Sequence, residues 1–433
     1  MQKNSEKTEI TLSVRKPKSI KSFLTIFIGQ SFSLFGSQLV QFALVWWLTL
    51  TSLGSATVLA FAMMMALIPQ IVLTPLLGPL IDRWNRRRIM ILADAIIALS
   101  VFVLALLFAF NLAEIWHVYV LMLVRSIGGA FHWPAMQAST VMLVEKKKLS
   151  KVNGLTQSFQ GLANVLAPPI AAVLVGFIPI QNILAIDIGT AMMAILPLLF
   201  IQIPQPQKNP SKENGTSTFA DFKFSFSYLW RWKGGLFIMI GAMIANLLII
   251  PAVSFVPILV TEHFGGGAFE YALLTSSLGI GAILGGLALG AWSGKNRRIV
   301  IGMVCFVFMG LGVASVGVLP SWAFLPAVIV FFFSGSMMSI GNGSIFAILQ
   351  NMVPPQLQGR IFSLVLSGSA AMTPLGLAIG GPLIDILNVQ FWFLIGGCVM
   401  AFVGTLAFFS QAVMKIEERP INPKYETGAL ASI

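Results

Sequence analysis

Twelve apolar runs, each long enough to cross a bilayer, alternate along the chain with polar breaks: roughly 23–50, 55–80, 89–110, 115–141, 152–176, 183–203, 235–261, 269–293, 299–318, 322–349, 359–385 and 391–413. A spanning helix needs about 20 predominantly apolar residues, and in hydrocarbon a helix satisfies all of its own backbone groups. The breaks are not alike. Of the 27 lysines and arginines, 26 fall in the first tail, in the connections after runs two, four, six, eight and ten, or in the last tail. The intervening connections hold none, and Arg125 is the one cation predicted inside a run. This asymmetry is the positive-inside rule. It puts both termini in the cytoplasm and requires an even number of spans; a bacterial inner membrane is the expected location.

Composition supports lipid as the solvent. Charged residues make up 10% of the 433 residues and hydrophobic ones 57%, against about 25% charged in soluble chains. A soluble chain of this length would divide into domains that each need a polar surface. The net charge of +12 follows from the basic connections and does not call for nucleic acid. Cys305 and Cys398 stand alone in apolar runs, in no disulfide or metal spacing. No metal and no cofactor is expected. Residues 1–22 lack the short apolar core and cleavage pattern of a secretory signal, so the first run is expected in the mature protein.

The longest polar break, 204–234, divides the runs six plus six. The expected organisation is a cytoplasmic tail (1–22), an N-terminal six-helix bundle (23–203), a cytoplasmic linker (204–234), a C-terminal bundle (235–413) and a cytoplasmic tail (414–433). In the linker Thr218 and Asp221 have capping-box spacing. Phe219, Phe222, Phe226 and Leu229 follow at helical intervals, with Trp230 and Trp232 nearby, which suits a short helix on the membrane surface. The halves repeat each other. Gly78 closes run two before a basic turn, and Gly290 closes run eight before another. Gly154 precedes Pro168, and Arg360 precedes Pro374, by the same interval. Parallel repeats around a midplane site are an architecture of alternating-access transporters. The expected fold class is therefore an all-α membrane protein, twelve transmembrane helices in two pseudo-symmetric six-helix bundles, and the expected function is transport.

The turn Gly78-Pro79-Leu80-Ile81-Asp82-Arg83-Trp84-Asn85-Arg86-Arg87-Arg88 is the most specific motif. Gly78 permits close helix approach, and Asp82 stands among Arg83, Arg86 and Arg87. The set reads as a conformational latch, since topology alone needs neither the glycine nor the aspartate. Here the chain resembles the major facilitator superfamily, whose loop motif between spans two and three this is. Arg125-Ser126-Ile127-Gly128-Gly129-Ala130-Phe131-His132-Trp133-Pro134-Ala135 is similar to the span-four motif of its drug–proton antiporters, and closest to the branch of macrolide efflux proteins. Gly161 and the Ala167-Pro168-Pro169 segment resemble the gating motif of span five. Two positions depart from the pattern: Ala167 stands where glycine precedes the proline, and Gly128 where glutamine is common. The resemblance implies export of a small amphipathic compound, macrolide-like, exchanged for an ion, in the first instance a proton. A lipid or siderophore exporter of the same fold is the alternative, and a receptor or scaffold the alternative of another class.

Three charged residues are candidates for proton coupling. Arg125 in a span costs at least about 2.5 kcal/mol without a partner, and Asp187 enters run six at a similar depth, so the two are expected to pair. Asp94 lies just inside run three and is expected to meet Arg86 or Arg87. His132 reads as a packing histidine, and Asp385 as solvated. Polar residues outline a candidate substrate cavity or bridge helices: Gln30, Ser33, Ser37 and Gln41 in run one, Gln157, Gln160 and Asn164 in run five, Asn246 in run seven and Asn342 in run ten. Polar groups avoid lipid. Met63, Met64 and Met65 suit an adaptable apolar pocket.

Enzymatic alternatives lack their residues. Gly290-Ala291-Trp292-Ser293-Gly294-Lys295-Asn296 has the wrong glycine spacing for a phosphate-binding loop and no hydroxyl for magnesium. Three dispersed histidines form no nucleophile–base cluster. The partners expected are a small amphipathic substrate, a coupling ion and the bilayer, with no nucleic acid. The chain is expected to be able to act as a monomer.

Overall fold

The computed structural model describes residues 20–204, 218–292 and 297–418, and the described residues form helices joined by short turns. The first half comprises α1 (Ile20–Thr51), α2 (Ala56–Arg83), α3 (Arg86–Ala109), α4 (Ile115–Leu143), α5 (Leu149–Phe177) and α6 (Ile180–Phe200). A short helix, α7 (Thr218–Arg231), precedes the second half. That half comprises α8 (Lys233–Ser254), the single turn α9 (Val256–Ile258), α10 (Ala268–Ala291), α11 (Arg298–Val316), α12 (Phe324–Met352), α13 (Pro355–Ala370), α14 (Met372–Leu387), α15 (Val389–Phe409) and α16 (Gln411–Met414). Together α13 and α14 make one pass with a break at Ala371. Among the described residues 11 helices are long and apolar enough to cross a membrane. The remaining long helix of the set is α4, whose 29 residues include Arg125, His117 and His132.

Local sequence explains the starts of these helices. The Ser55 side chain accepts from the Val58 amide and caps α2, and Asn85 does the same for α3 through Arg88, each satisfying a donor that a helix N-terminus leaves open. Pro168 and Pro169 do not end α5, which continues to Phe177. Neighbouring helices in a membrane bundle can re-satisfy the freed carbonyls.

The two halves pack alike. In the first, α4 lies on α2 and α3, and α6 on α1 and α3. In the second, α12 lies on α10 and α11, and α15 on α8 and α11. Apolar burial drives little helix association in lipid, so close van der Waals contact carries it. The crossing of α10 and α12 is backbone to backbone. A methyl group on Gly281 would overlap the Phe332 carbonyl, and one on Gly335 the Leu278 carbonyl.

The halves join mainly through α2 on α14 and α5 on α10. Their contacts differ between the end of the bundle that bears the basic turns and the far end. Two apolar clusters at the far end draw on both halves. One gathers Leu39, Phe42 and Leu44 with Ala272, the other Ala56, Leu59 and Ala60 with Phe255, Leu377 and Ile384. Tyr271 of α10 stacks on Phe42 and Trp46 of α1, at ring-centroid distances of 4.6 Å and 6.2 Å. The clusters at the basic end each belong to one half: Phe23, Leu77 and Leu143 in the first, Ile299, Leu349 and Ile361 in the second. Among the described residues the molecule is therefore sealed by apolar packing at its far end and not at its basic end.

Helix α7 sits against α8 and α13 with Leu229 fully buried. Phe226 and Trp230 are exposed and stack at 6.0 Å. The side chains of Thr218, Phe219, Asp221 and Phe222 lie outside the described residues.

Candidate functional site

The interior of the first half holds two polar levels stacked along α4. At the first, Arg125 Nη1 stands 3.8 Å from Asp187 Oδ2 of α6. Ser37 Oγ of α1 donates to Asp187 Oδ1 at 3.1 Å, and Arg125 Nη2 donates to the Ser37 carbonyl at 3.0 Å. Asp187 is 3% exposed, so its charge depends on these partners rather than on water. The pairing follows from the cost of an isolated ion in a span.

The second level lies seven residues further along α4, about 10 Å at 1.5 Å per residue. His132 Nε2 stands 3.4 Å from Asp94 Oδ1 of α3, and Gln30 Nε2 of α1 donates to Asp94 Oδ2 at 3.1 Å. Asp94 does not take the loop arginines that its sequence position suggested. Arg87 donates instead to the carbonyls of Leu198 and Leu199 on α6, and Arg86, buried, reaches the Ala138 carbonyl at 3.4 Å. Eight residues of helix raise Asp94 about 12 Å above Arg86, and that rise carries it to the level of His132. The histidine thus faces a buried carboxylate and is not only packing. Two buried carboxylates, one permanent cation and one imidazole form two separate polar clusters in the interior of the first half.

The polar residues read as one cavity divide into two groups. Gln30 turns into the first-half interior toward Asp94, and Ser33 is half-buried on the same helix. Gln41 points its amide at Met63 Sδ, 4.0 Å away. Asn164 Oδ1 accepts from Gln38 Nε2 at 3.0 Å, bridging α1 and α5, while Gln157 is exposed on α5. Gln38 lies one residue off the polar stripe of α1, which is why periodicity passed over it. Asn246 and Asn342 belong to the second half. They line one cavity of about 130 Å³ between α8, α11, α12 and α15, with Met303, Met309, Met338 and Met400. Asn246 Oδ1 accepts from Thr373 Oγ1 at 3.3 Å.

The span-five glycine and prolines lie along the α5–α10 junction. A methyl on Gly161 would meet Ile283 at an ordinary 4.0 Å. Close approach is made instead by Gly279, where a methyl would come within 2.8 Å of Val165, and Ser276 Oγ donates to the Val165 carbonyl at 2.9 Å. Pro168 and Pro169 are half-buried within the continuous helix. In the loop motif, α2 runs through Gly78 and Asp82 to Arg83, but the side chains of Asp82 and Arg83 and the surroundings of Gly78 lie outside the described residues.

One exposed acid was read too modestly. Asp385, at the far end of α14, is exposed as expected yet accepts from the Ala56 amide at 2.6 Å and the Thr57 amide at 3.1 Å, with Ser55 Oγ at 3.2 Å. It thereby crosses from the second half to the first.

The model of the Major Facilitator Superfamily matches residues 26–372 and 240–429. The chain belongs to that superfamily. Macrolide efflux protein A of Streptococcus pyogenes is 29% identical over 395 residues, 91% of this chain and 97% of that protein. Multidrug efflux pump Tap of Mycolicibacterium fortuitum is 24% identical over 386 residues, 86% of this chain and 91% of that one. A crystal structure of the nucleoside transporter NupG superposes with a TM-score of 0.70 at 15% identity, covering 90% of this chain and 99% of the other. That last likeness is one of fold. This major facilitator is a multi-pass membrane transporter, and its buried ionic groups all lie in the first half among the described residues.

Proposed function

We propose that this major facilitator exports a small, amphipathic, largely apolar compound of the macrolide kind from the cytoplasm, in exchange for protons. Both relatives described above are efflux proteins by name, which supports the direction. The observation that carries the coupling is the two-level set Arg125–Asp187 and His132–Asp94–Gln30. With the basic end in the cytoplasm, the sealed far end faces outward, and this arrangement receives substrate from inside. The substrate's apolar body packs on methionine and phenylalanine, which adapt to irregular shapes. Amides such as Asn342 and Asn246 orient its polar groups. A proton on Asp187 or Asp94 weakens its hold on Arg125 or His132 and so biases the packing of α4 against α3 and its side-chain tie to α6. Each proton entering supplies about 1.4 kcal/mol per pH unit of gradient and about 2.3 kcal/mol per 100 mV.

The test is accumulation of a panel of labelled amphipathic drugs, macrolides included, in cells with and without the protein and with and without a protonophore. Lower accumulation that collapses with the protonophore is the expected result. Accumulation unchanged across the panel overturns the reading in favour of lipid or siderophore export.

A further inference from the structure

We propose that Asp385 is the outer latch of the transport cycle, an ionised carboxylate of one half that closes the molecule by capping a helix of the other. The first two amides of α2 have no acceptor within their own helix. Asp385 supplies one to each, at 2.6 Å from Ala56 N and 3.1 Å from Thr57 N, and Ser55 Oγ adds a third contact at 3.2 Å. Its position in sequence is 329 residues from Ala56. The bonds therefore hold the halves together and do nothing for α14 itself. They sit directly on the α2–α14 crossing, where a methyl on Gly381 would press against Ala60 and Thr57.

The chemistry of the latch follows from the topology. No lysine or arginine lies in any connection on this side, because basic residues there would oppose insertion in this orientation. A carboxylate on the outside then has no side-chain cation to pair with. The positive end of a helix, about half a unit charge, is the partner that the topology leaves. A second acid of the same half bears on the same turn: the Glu262 carboxylate packs against Gly54, whose φ of +79° already favours glycine. The inner face, rich in arginine, has no such constraint.

When the outer face opens, water must replace Asp385 on both amides. Removing the charge weakens the preference for the closed form, since a charge-assisted hydrogen bond is roughly twice as strong as a neutral one. The inference rests on the proposed orientation and on alternating access, but not on any substrate, so it is tested without drug. Cys305 and Cys398 are replaced by alanine and serine, and a reporter is placed in the seal as Ala60→Cys, at a position now 3% exposed. Whole cells are treated from outside with a membrane-impermeant maleimide. Asp385→Asn is expected to raise the labelling rate about tenfold, the scale of one charge-assisted cap, and Asp385→Glu to return it to within about twofold. Thr57→Pro removes one donor while leaving Asp385 intact, at a first-turn position that tolerates proline, and is expected to raise labelling about threefold. Equal labelling in the parent, Asp385→Asn and Thr57→Pro, at equal amounts of protein in the membrane, overturns the latch whatever the drug-accumulation result. If Asp385→Asn is not inserted, Thr57→Pro decides alone.

Discussion

The two halves share a packing scheme and differ in what they bury. A step of 209 residues carries Ile115 of α4 to Phe324 of α12, and Ile180 of α6 to Val389 of α15. The same step carries Arg125 to Ser334, His132 to Gly341 and Asp187 to Gly396. Between α3 and α11 the step is 212 residues, from Arg86 to Arg298, and it carries Asp94 to Phe306. The interior positions Arg125, His132, Asp187 and Asp94 of the first half are thus small, neutral or aromatic in the second. Around Phe306 the second half has a methionine-lined cavity where the first has a carboxylate facing an imidazole. Helix packing alone demands neither interior. The contrast separates charge handling from apolar binding, and under the proposed function those are the two tasks of an exchanger of protons for drugs.

Five substitutions test that separation. The largest effect is expected from Arg125→Met, which leaves Asp187 buried without its cation. Removing one partner of a buried pair costs about 3–5 kcal/mol, seen as a fall in thermal midpoint of purified protein together with loss of export. Arg125→Met with Asp187→Asn removes both charges and should recover most of the stability but not the export. A charge placed in the other half comes next. Met309→Glu inserts a carboxylate into the apolar cavity at about 2.5–3.5 kcal/mol, measured as reduced membrane insertion and midpoint. If the second half accepts it without loss, the contrast between interiors is not structural. Asp94→Asn keeps a hydrogen-bonding group for Gln30 but removes the charge facing His132. Export is expected to lose about tenfold of its response to a protonophore while drug binding in detergent stays within about twofold. The smallest effect belongs to Asn246→Leu. Loss of one amide contact is worth about 1 kcal/mol, or about fivefold in affinity, and should reorder the drug panel without changing its dependence on the gradient.

The spans were legible in the sequence because they rest on an additive property, apolar length. Arg125 and Asp187 were legible for a related reason: an ion in a span needs a partner, and few partners exist at that depth. Asp94 was misplaced because nearness in sequence stood in for nearness along a helix, and eight residues are more than two turns. His132 then lacked its acid. The cavity residues divided because a polar stripe shows which side of a helix avoids lipid, not whether it faces a chamber or a neighbouring helix. Asp385 was out of reach altogether, since its partners are backbone amides far away in the chain.

The direct backbone contact of α10 on α12 has a mechanical consequence. With carbonyls resting where Cβ atoms of Gly281 and Gly335 would stand, neither helix can slide past the other without its ridges colliding. The pair behaves as a stiff beam. One side of that beam carries Tyr271 and the α5 junction, and the other is braced by α11. Force applied at one end of the second half therefore reaches the other undamped, which favours rocking of a rigid body over shear between its helices.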